Sequence, residues 1–287
     1  MDFKYSIVTP VKNEEDYLPK TIDSVVNQTI RPQKWIIVDD GSTDSTPDII
    51  NNASSQHEWI ERLDTGDSST VRKPGGESVA PVGIKALNMQ GLDFFVRMDG
   101  DLSFSPDYFK DLFSEFDKDP KLGIASGVCY VPREALLIEE PHPRFHTRGP
   151  IKTYRLQCYR DIDGVEAGLG FDTLDEIKAN MLGWHTRSFP ELKVIHHRPT
   201  QTASGALKGM INKGKAAYYL GYHPLYLFLR AIKIMTKDPV FIGGLCLLGS
   251  YLKGYLTHAE PYHDAKVIEY LRQQQMNRLL GRETIWK

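Results

Sequence analysis

The sequence predicts an α/β fold with a mostly parallel central sheet flanked by helices, extended at its C-terminal side by a helical, apolar and basic region. Three observations carry this reading. Two short, β-rich apolar runs, residues 4–10 (KYSIVTP) and 34–40 (KWIIVDD), bracket Leu18, Ile22, Val25 and Val26 at helical spacing, which is a β-α-β pattern. A third run at 94–96 (FFV) ends, like the first two, in polar turn residues. Charge is also unevenly distributed: residues 201–258 carry seven Lys/Arg and one acid, a net +6, against −8 for the remainder.

The elements follow in order. Pro19 is tolerated only in a first helical turn, so the first helix begins near Leu18 and leaves Asn13, Glu14, Glu15 and Asp16 in the loop at the carboxyl end of the first strand. Asp39 and Asp40 take the equivalent end of the second strand, before Gly41 and Ser42. The third run ends in Arg97-Met98-Asp99-Gly100-Asp101. Open parallel sheets bind ligands at that edge, so three strands aim polar loops at one crevice. Residues 107–118 read as a helix and 122–131 as a strand, while 132–155, rich in Pro, His and Arg, reads as an irregular lid or binding segment. A helix from Asp172 to Leu182 stops at Gly183, and 193–197 (KVIHH) reads as a last strand. Residues 205–256 are helical and apolar with Gly breaks, and 264–280 form a polar amphipathic helix. The division expected is a catalytic domain over 1–200 and a helical region over 201–287.

Composition narrows the function. With 287 residues, 41% hydrophobic and 25% charged, the chain is an ordinary globular protein. A net charge of −2 argues against a nucleic-acid partner. Cys129, Cys158 and Cys246 are odd in number and widely spaced, forming neither a disulfide framework nor a zinc site. The strand-like start MDFKYSIVTP lacks the pattern of a signal peptide, and the location expected is cytoplasmic.

Asp99-Gly100-Asp101 is the sharpest chemical signal. Carboxylates two apart in an extended segment point to one side and can share a hard divalent cation, which typically bridges nucleotide phosphates. A solvated Asp-Gly turn is the competing reading. Thr9-Pro10, Glu14 and the run 39–44 (DDGSTD) at matching strand ends favour the cation.

With these pieces, VTPVKNEEDYLPKTIDSVVNQ (8–28), IIVDDGSTDST (36–46) and RMDGD (97–101), the chain resembles the family 2 glycosyltransferases, over roughly its first 200 residues. The resemblance implies the Rossmann-like GT-A fold and an inverting transfer of a hexosyl or N-acetylhexosaminyl group from a nucleotide-diphosphate sugar. It assigns the nucleotide to Thr9, Pro10, Glu14 and Asp40, with Asp40 suited to accept the imide hydrogen of uracil and Asp39 left as a turn or cap residue. Mg2+ or Mn2+ falls to Asp101, with Asp99 a ribose or metal contact. Arg72 and Lys73 either neutralise phosphate or form a solvated basic turn. A family histidine near 196–197 approaches the metal or diphosphate; His197 is assigned to the metal, with His196 as the alternative. Inverting members need a carboxylate base for the acceptor hydroxyl. The usual Glu-Asp motif precedes a Gly-aromatic pair, and GFDTLDEIKANMLGW puts Asp172 twelve residues before Trp184, with Phe171 replacing the Glu. Asp175 and Glu176 compete for the role, and a helix cap is the other reading of Asp172.

No Gln-x-x-Arg-Trp motif of the processive synthases follows, which favours single transfer. Residues 216–229 and 239–252 are uncharged segments of 14 residues, too short to span a bilayer, which needs about 20. Flanked by basic residues, they suit peripheral attachment to the inner face of the cell membrane, with a buried helical subdomain or oligomer interface as the alternative. The expectation is thus a metal-dependent transferase, probing a UDP-sugar and a lipid-linked or saccharide acceptor in surface glycan assembly. A nucleotidyltransferase and a non-catalytic nucleotide-sugar-binding protein are its rivals.

Overall fold

A computed structural model describes residues 3–66, 79–134, 136–140, 142–166, 170–198, 206–236 and 240–286. Arg72 and Lys73, the candidate phosphate contacts, lie outside them. Contacts divide the chain into two units, residues 1–167 with 182–198 and residues 168–181 with 199–287. The second unit thus includes a segment before residue 200, unlike the division expected from sequence.

In the first unit, β1 (Tyr5–Val11) leads through α1 (Leu18–Val26) to β2 (Lys34–Asp39), as the β-α-β pattern requires. Then come α2 (Thr46–Gln56), β3 (Ile60–Asp64), α3 (Ala80–Ala86), β4 (Phe94–Met98) and the short β5 (Leu102–Phe104). These are followed by α4 (Tyr108–Lys118), β6 (Leu122–Arg133), β7 (Leu136–Glu139), β8 (Ile151–Arg155) and α5 (Leu156–Asp161). The sheet runs β3-β2-β1-β4-β8-β6 and then β9 (His185–His196) and β5, with β7 beside β6. The pairs β1–β2, β1–β4 and β2–β3 are parallel. Order reverses at β1, which has β2 on one side and β4 on the other, so the carboxyl ends of β1 and β4 frame a topological switch point.

Residues 132–155 are not irregular throughout. β8 lies antiparallel to both β4 and β6 in mid-sheet, and Ile151, Lys152, Thr153 and Tyr154 are all fully buried. Five residues with no alternation and three polar side chains, Lys152, Thr153 and Arg155, give a weak strand signal; the two neighbouring ladders supply the stability.

The core lies between sheet and helices. On α4, Tyr108, Phe109, Leu112, Phe113 and Phe116 share one buried face, and Phe94 stacks on Phe113 at 4.5 Å between ring centroids. Such pairs add about 0.5–1.5 kcal/mol to their area burial. Arg155 closes the far end of α4, with Nη2 donating to the carbonyl of Phe116 at 2.6 Å and to that of Asp119 at 3.2 Å.

The second unit contains α6 (Phe171–Met181), α7 (Ala206–Tyr219), α8 (Pro224–Met235), α9 (Ile242–Leu256) and α10 (Ala265–Leu279). Gly183, at φ +88°, follows the end of α6 in the left-handed region that favours glycine. Leu174 and Ile177 of α6 pack with Leu220, Tyr262, Val267 and Leu271; Ala217, Leu227, Ala231, Leu247 and Tyr251 form a second cluster. The uncharged segment 216–229 is broken by the turn between α7 and α8, and among the described residues no helix is long and apolar enough to cross a membrane.

Candidate active site

Two loops at the carboxyl ends of β1 and β2 are tied by their own polar side chains. Asn13, at φ +54°, donates its N–H to Ser42 Oγ at 3.0 Å, and its Oδ1 accepts from Thr43 N at 2.8 Å. Glu15 N donates to Asp44 Oδ2 at 3.2 Å, while Ser45 N donates to Glu15 Oε2 at 2.9 Å. Partial desolvation raises the Asp44 pKa, but the hydrogen bonds it accepts from Thr46 and Glu15 outweigh this and hold it below the usual carboxylate range. The DDGSTD run is therefore largely a loop framework.

Asp39 is fully buried, with Oδ1 accepting from Ser42 N at 2.9 Å and Oδ2 from Arg62 Nη2 at 2.7 Å. This is the turn role foreseen for it. Asp40, also buried, sits with Oδ2 3.9 Å from Lys12 Nζ. Thr9 is fully buried and accepts from Trp35 Nε1 at 2.9 Å, while Pro10 is partly exposed. Glu14 is buried; its N–H donates to Thr46 Oγ1 at 2.8 Å and its Oε2 accepts from Arg198 Nη2 at 2.6 Å. Arg198 lies over the Tyr17 ring at 5.6 Å, and His197 stacks on that ring at 5.7 Å.

The third loop carries the acids. Thr21, a buried α1 residue outside the sequence motifs, has its Oγ1 at 2.8 and 2.9 Å from the carbonyl oxygens of Gly100 and Leu102, both within reach of its hydroxyl as donor. Its oxygen accepts from Leu102 N at 2.9 Å. Asp99 N donates to the carbonyl of Pro150 at 2.8 Å, so the approach to β8 anchors the other side. Between the acids a side chain is excluded, because a Cβ at Gly100 would stand 2.7 Å from Val11 Cγ1.

Ligand-capable atoms of Asp99, Asp101 and His196 all lie within 4.8 Å of one another. His197 stands outside this group, with Nε2 2.7 Å from Ser103 Oγ. Strand parity explains the difference: Val194 and His196 share the buried face of β9, whereas His197 follows the strand's end. His196 Nε2 is 3.6 Å from Asp101 Oδ2, and Nδ1 is 3.3 Å from Glu140 Oε2. Glu140 also pairs with Arg148. Neither Glu140 nor Arg148 was singled out in the sequence, because they lie in the segment read as irregular. Burial works against charge on His196, but hydrogen bonds and attraction from Asp101 and Glu140 raise its pKa to about 9.

This donor set fits a divalent cation. Asp101 Oδ1 is buried and has no hydrogen-bond partner, a costly state for a carboxylate oxygen that a cation would relieve. Two carboxylates and an imidazole that gives up its proton as the cation takes its place suit Mn2+, and the oxygens suit Mg2+.

Of the proposed bases, Asp172 is the second residue of α6. Asp175 and Glu176 are buried in the second unit, with Asp175 Oδ1 accepting from Glu176 N at 2.8 Å. Trp184 Nε1 donates to Asp161 Oδ2 at 3.0 Å.

Several known proteins resemble parts of this chain in sequence, and others resemble it in fold. Glycosyltransferase GlyA of Streptococcus pneumoniae is 29% identical over 129 residues, 43% of this chain and 17% of its own. The poly(ribitol-phosphate) beta-glucosyltransferase of Bacillus spizizenii is 47% identical over 59 residues, 20% of this chain and 9% of its own. The minor teichoic acid biosynthesis protein GgaA of Bacillus subtilis is 28% identical over 127 residues, 42% and 26% respectively. The chain thus spans about a quarter or less of these relatives' lengths. In fold it resembles the mannosyltransferase PcManGT of Pyrobaculum calidifontis, solved with GDP-Man and Mn2+, with a TM-score of 0.55 at 13% identity over 96% of this chain and 80% of that one. It also resembles S. aureus TarS 1-349 solved with UDP-GlcNAc, with a TM-score of 0.54 at 16% identity over 97% and 80%. These structures share the GT-A architecture expected from the sequence. Residues 6–168, which hold the three loops and both acids of the Asp-Gly-Asp turn, match the family model for glycosyl transferase family 2, and the chain belongs to that family.

Proposed function

We propose that the chain is an inverting, metal-dependent transferase that moves a hexosyl or N-acetylhexosaminyl group from a UDP-sugar to a saccharide or lipid-linked acceptor of a bacterial-type surface glycan, working at the cytoplasmic face of the membrane. The observation that carries the metal-dependent reading is Asp101: a buried carboxylate with an unpartnered oxygen, beside Asp99 and His196, at the topological switch point. Asp40 and Pro10 are assigned to the nucleoside, and Glu14 to holding Arg198 in place. Thr9 supports the strand end through Trp35.

Asp99, Asp101 and His196 would hold the divalent cation, whose chemistry is to offset the negative charge of the leaving diphosphate. His197 serves instead through Tyr17 and Ser103. The acceptor oxygen attacks the anomeric carbon as the bond from that carbon to the diphosphate breaks and the diphosphate leaves with the electron pair. Asp172 takes the acceptor proton, an assignment supported by its spacing to Gly183-Trp184. A uridine donor is favoured by the solved TarS complexes with UDP and UDP-GlcNAc, and a glycan acceptor by the teichoic-acid relatives. The test is release of UDP from a panel of UDP-sugars in Mn2+ with saccharide and polyprenyl-linked acceptors. Turnover of one donor that requires an acceptor is expected; donors left intact with every acceptor class would count against the reading.

A further inference from the structure

In the second unit, α7, α8 and α9 carry Lys208, Lys213, Lys215, Arg230, Lys233 and Lys253 and not one Asp or Glu. α8 buries Leu227 and Ala231, yet its other side also shows an apolar stripe, Leu225, Phe228, Leu229 and Ile232, each 42–51% exposed at i, i+3, i+4 and i+7. α9 repeats the pattern with Ile242, Leu245, Leu252 and Leu256, the last 81% exposed, while Gly243, Gly244, Leu247 and Tyr251 are buried. Phe241, just before α9, is exposed at φ +61°. Helices apolar on the outside as well as the inside present apolar side chains to water beyond what a buried face requires.

We infer that the outward stripes of α8 and α9 dock on an anionic lipid leaflet, lying in the interface with Phe228, Leu229, Phe241 and Leu245 among the acyl chains. This deepens the membrane part of the proposed function and rests on it for the choice of leaflet. Charge argues for lipid. Lys233 follows Leu229 by one helical turn, and Lys253 adjoins Leu252, so both sit at the rims of the stripes, where long cationic side chains reach headgroup phosphates. A second copy docked through the same face would bring cations against cations. The helices, of 12 and 15 residues, are lengths for lying in the interface, and among the described residues none is fit to span.

The full chain is sedimented with vesicles of phosphatidylcholine alone or mixed with phosphatidylglycerol. At least about tenfold tighter binding to the anionic vesicles is expected, weakening with salt. Lys233→Glu with Lys253→Glu should remove that preference, and Phe241→Ser with Leu245→Ser should remove the salt-resistant part, each with unchanged circular dichroism. UDP binding in Mn2+ should be the same in all three proteins. Folded wild type that ignores vesicles, or variants that bind them as wild type does, would overturn the inference. So would dimers that Leu245→Ser disperses in the absence of lipid, or retention by an acidic protein matrix but not by vesicles. Loss of UDP binding in the wild type with vesicle binding intact would instead strike the donor reading and leave the surface standing.

Discussion

His196 turns Nδ1 toward Glu140 Oε2 at 3.3 Å, leaving Nε2 on the side of Asp101. A carboxylate behind a metal-ligating histidine fixes the ring's orientation and raises its basicity. Glu140→Gln is therefore expected to weaken Mn2+ binding about 10- to 100-fold, the usual scale for such supporting groups. Titration of free Mn2+ by electron paramagnetic resonance reads this without turnover. Unchanged affinity would reduce Glu140 to a partner of Arg148.

Thr21 braces the acid-bearing turn with one hydroxyl. Thr21→Val should cost about 1–3 kcal/mol in urea unfolding, because the replacement buries polar backbone groups without their partner. Mn2+ binding should weaken with it, since the acids sit on the turn it holds. Stability within a few tenths of a kcal/mol of wild type would contradict this.

The base assignment has its own test. Asp172→Asn should retain UDP binding while transfer slows roughly 100- to 10,000-fold. Asp175→Asn should do less, because Asp175 is buried and accepts from its own helix backbone. A larger loss at Asp175 or Glu176 would move the base to that residue.

The three free cysteines should separate under Ellman's reagent at pH 8. Burial drives the Cys129 pKa up to about 12, so almost no thiolate forms, and Cys158 is buried as well. Cys246, partly exposed, should react in the native protein and the other two only in denaturant. Rapid native reaction of all three, counted by absorbance, would contradict the packing around β6 and α5.

The sheet elements that frame the crevice are legible because each pairs an apolar run with a polar terminus: Ile36, Ile37 and Val38 lead to Asp39, and Phe94, Phe95 and Val96 to Asp99. β8 is not, since Lys152 and Thr153 make its five residues look exposed and only the ladders to β4 and β6 bury them. α2 hides for a related reason: only Thr46, Ile50 and Ala53 are buried in its 11 residues. The identity of the histidine beside Asp101 was in principle readable, since alternation along β9 buries Val194 and His196 together. Glu140 was not. Its approach to His196 spans 56 residues and depends on a loop whose sequence carries no periodic signal.

Asp101 decides the central claim. Calorimetric titration of UDP into the full chain should give binding in Mn2+ and none in chelator, with Asp101→Asn resembling the chelated wild type even in Mn2+. A buried carboxylate facing a diphosphate of like charge otherwise repels it. Equal UDP affinity with Mn2+ and with chelator, unchanged by Asp101→Asn, would contradict a metal-dependent donor site at Asp99, Asp101 and His196.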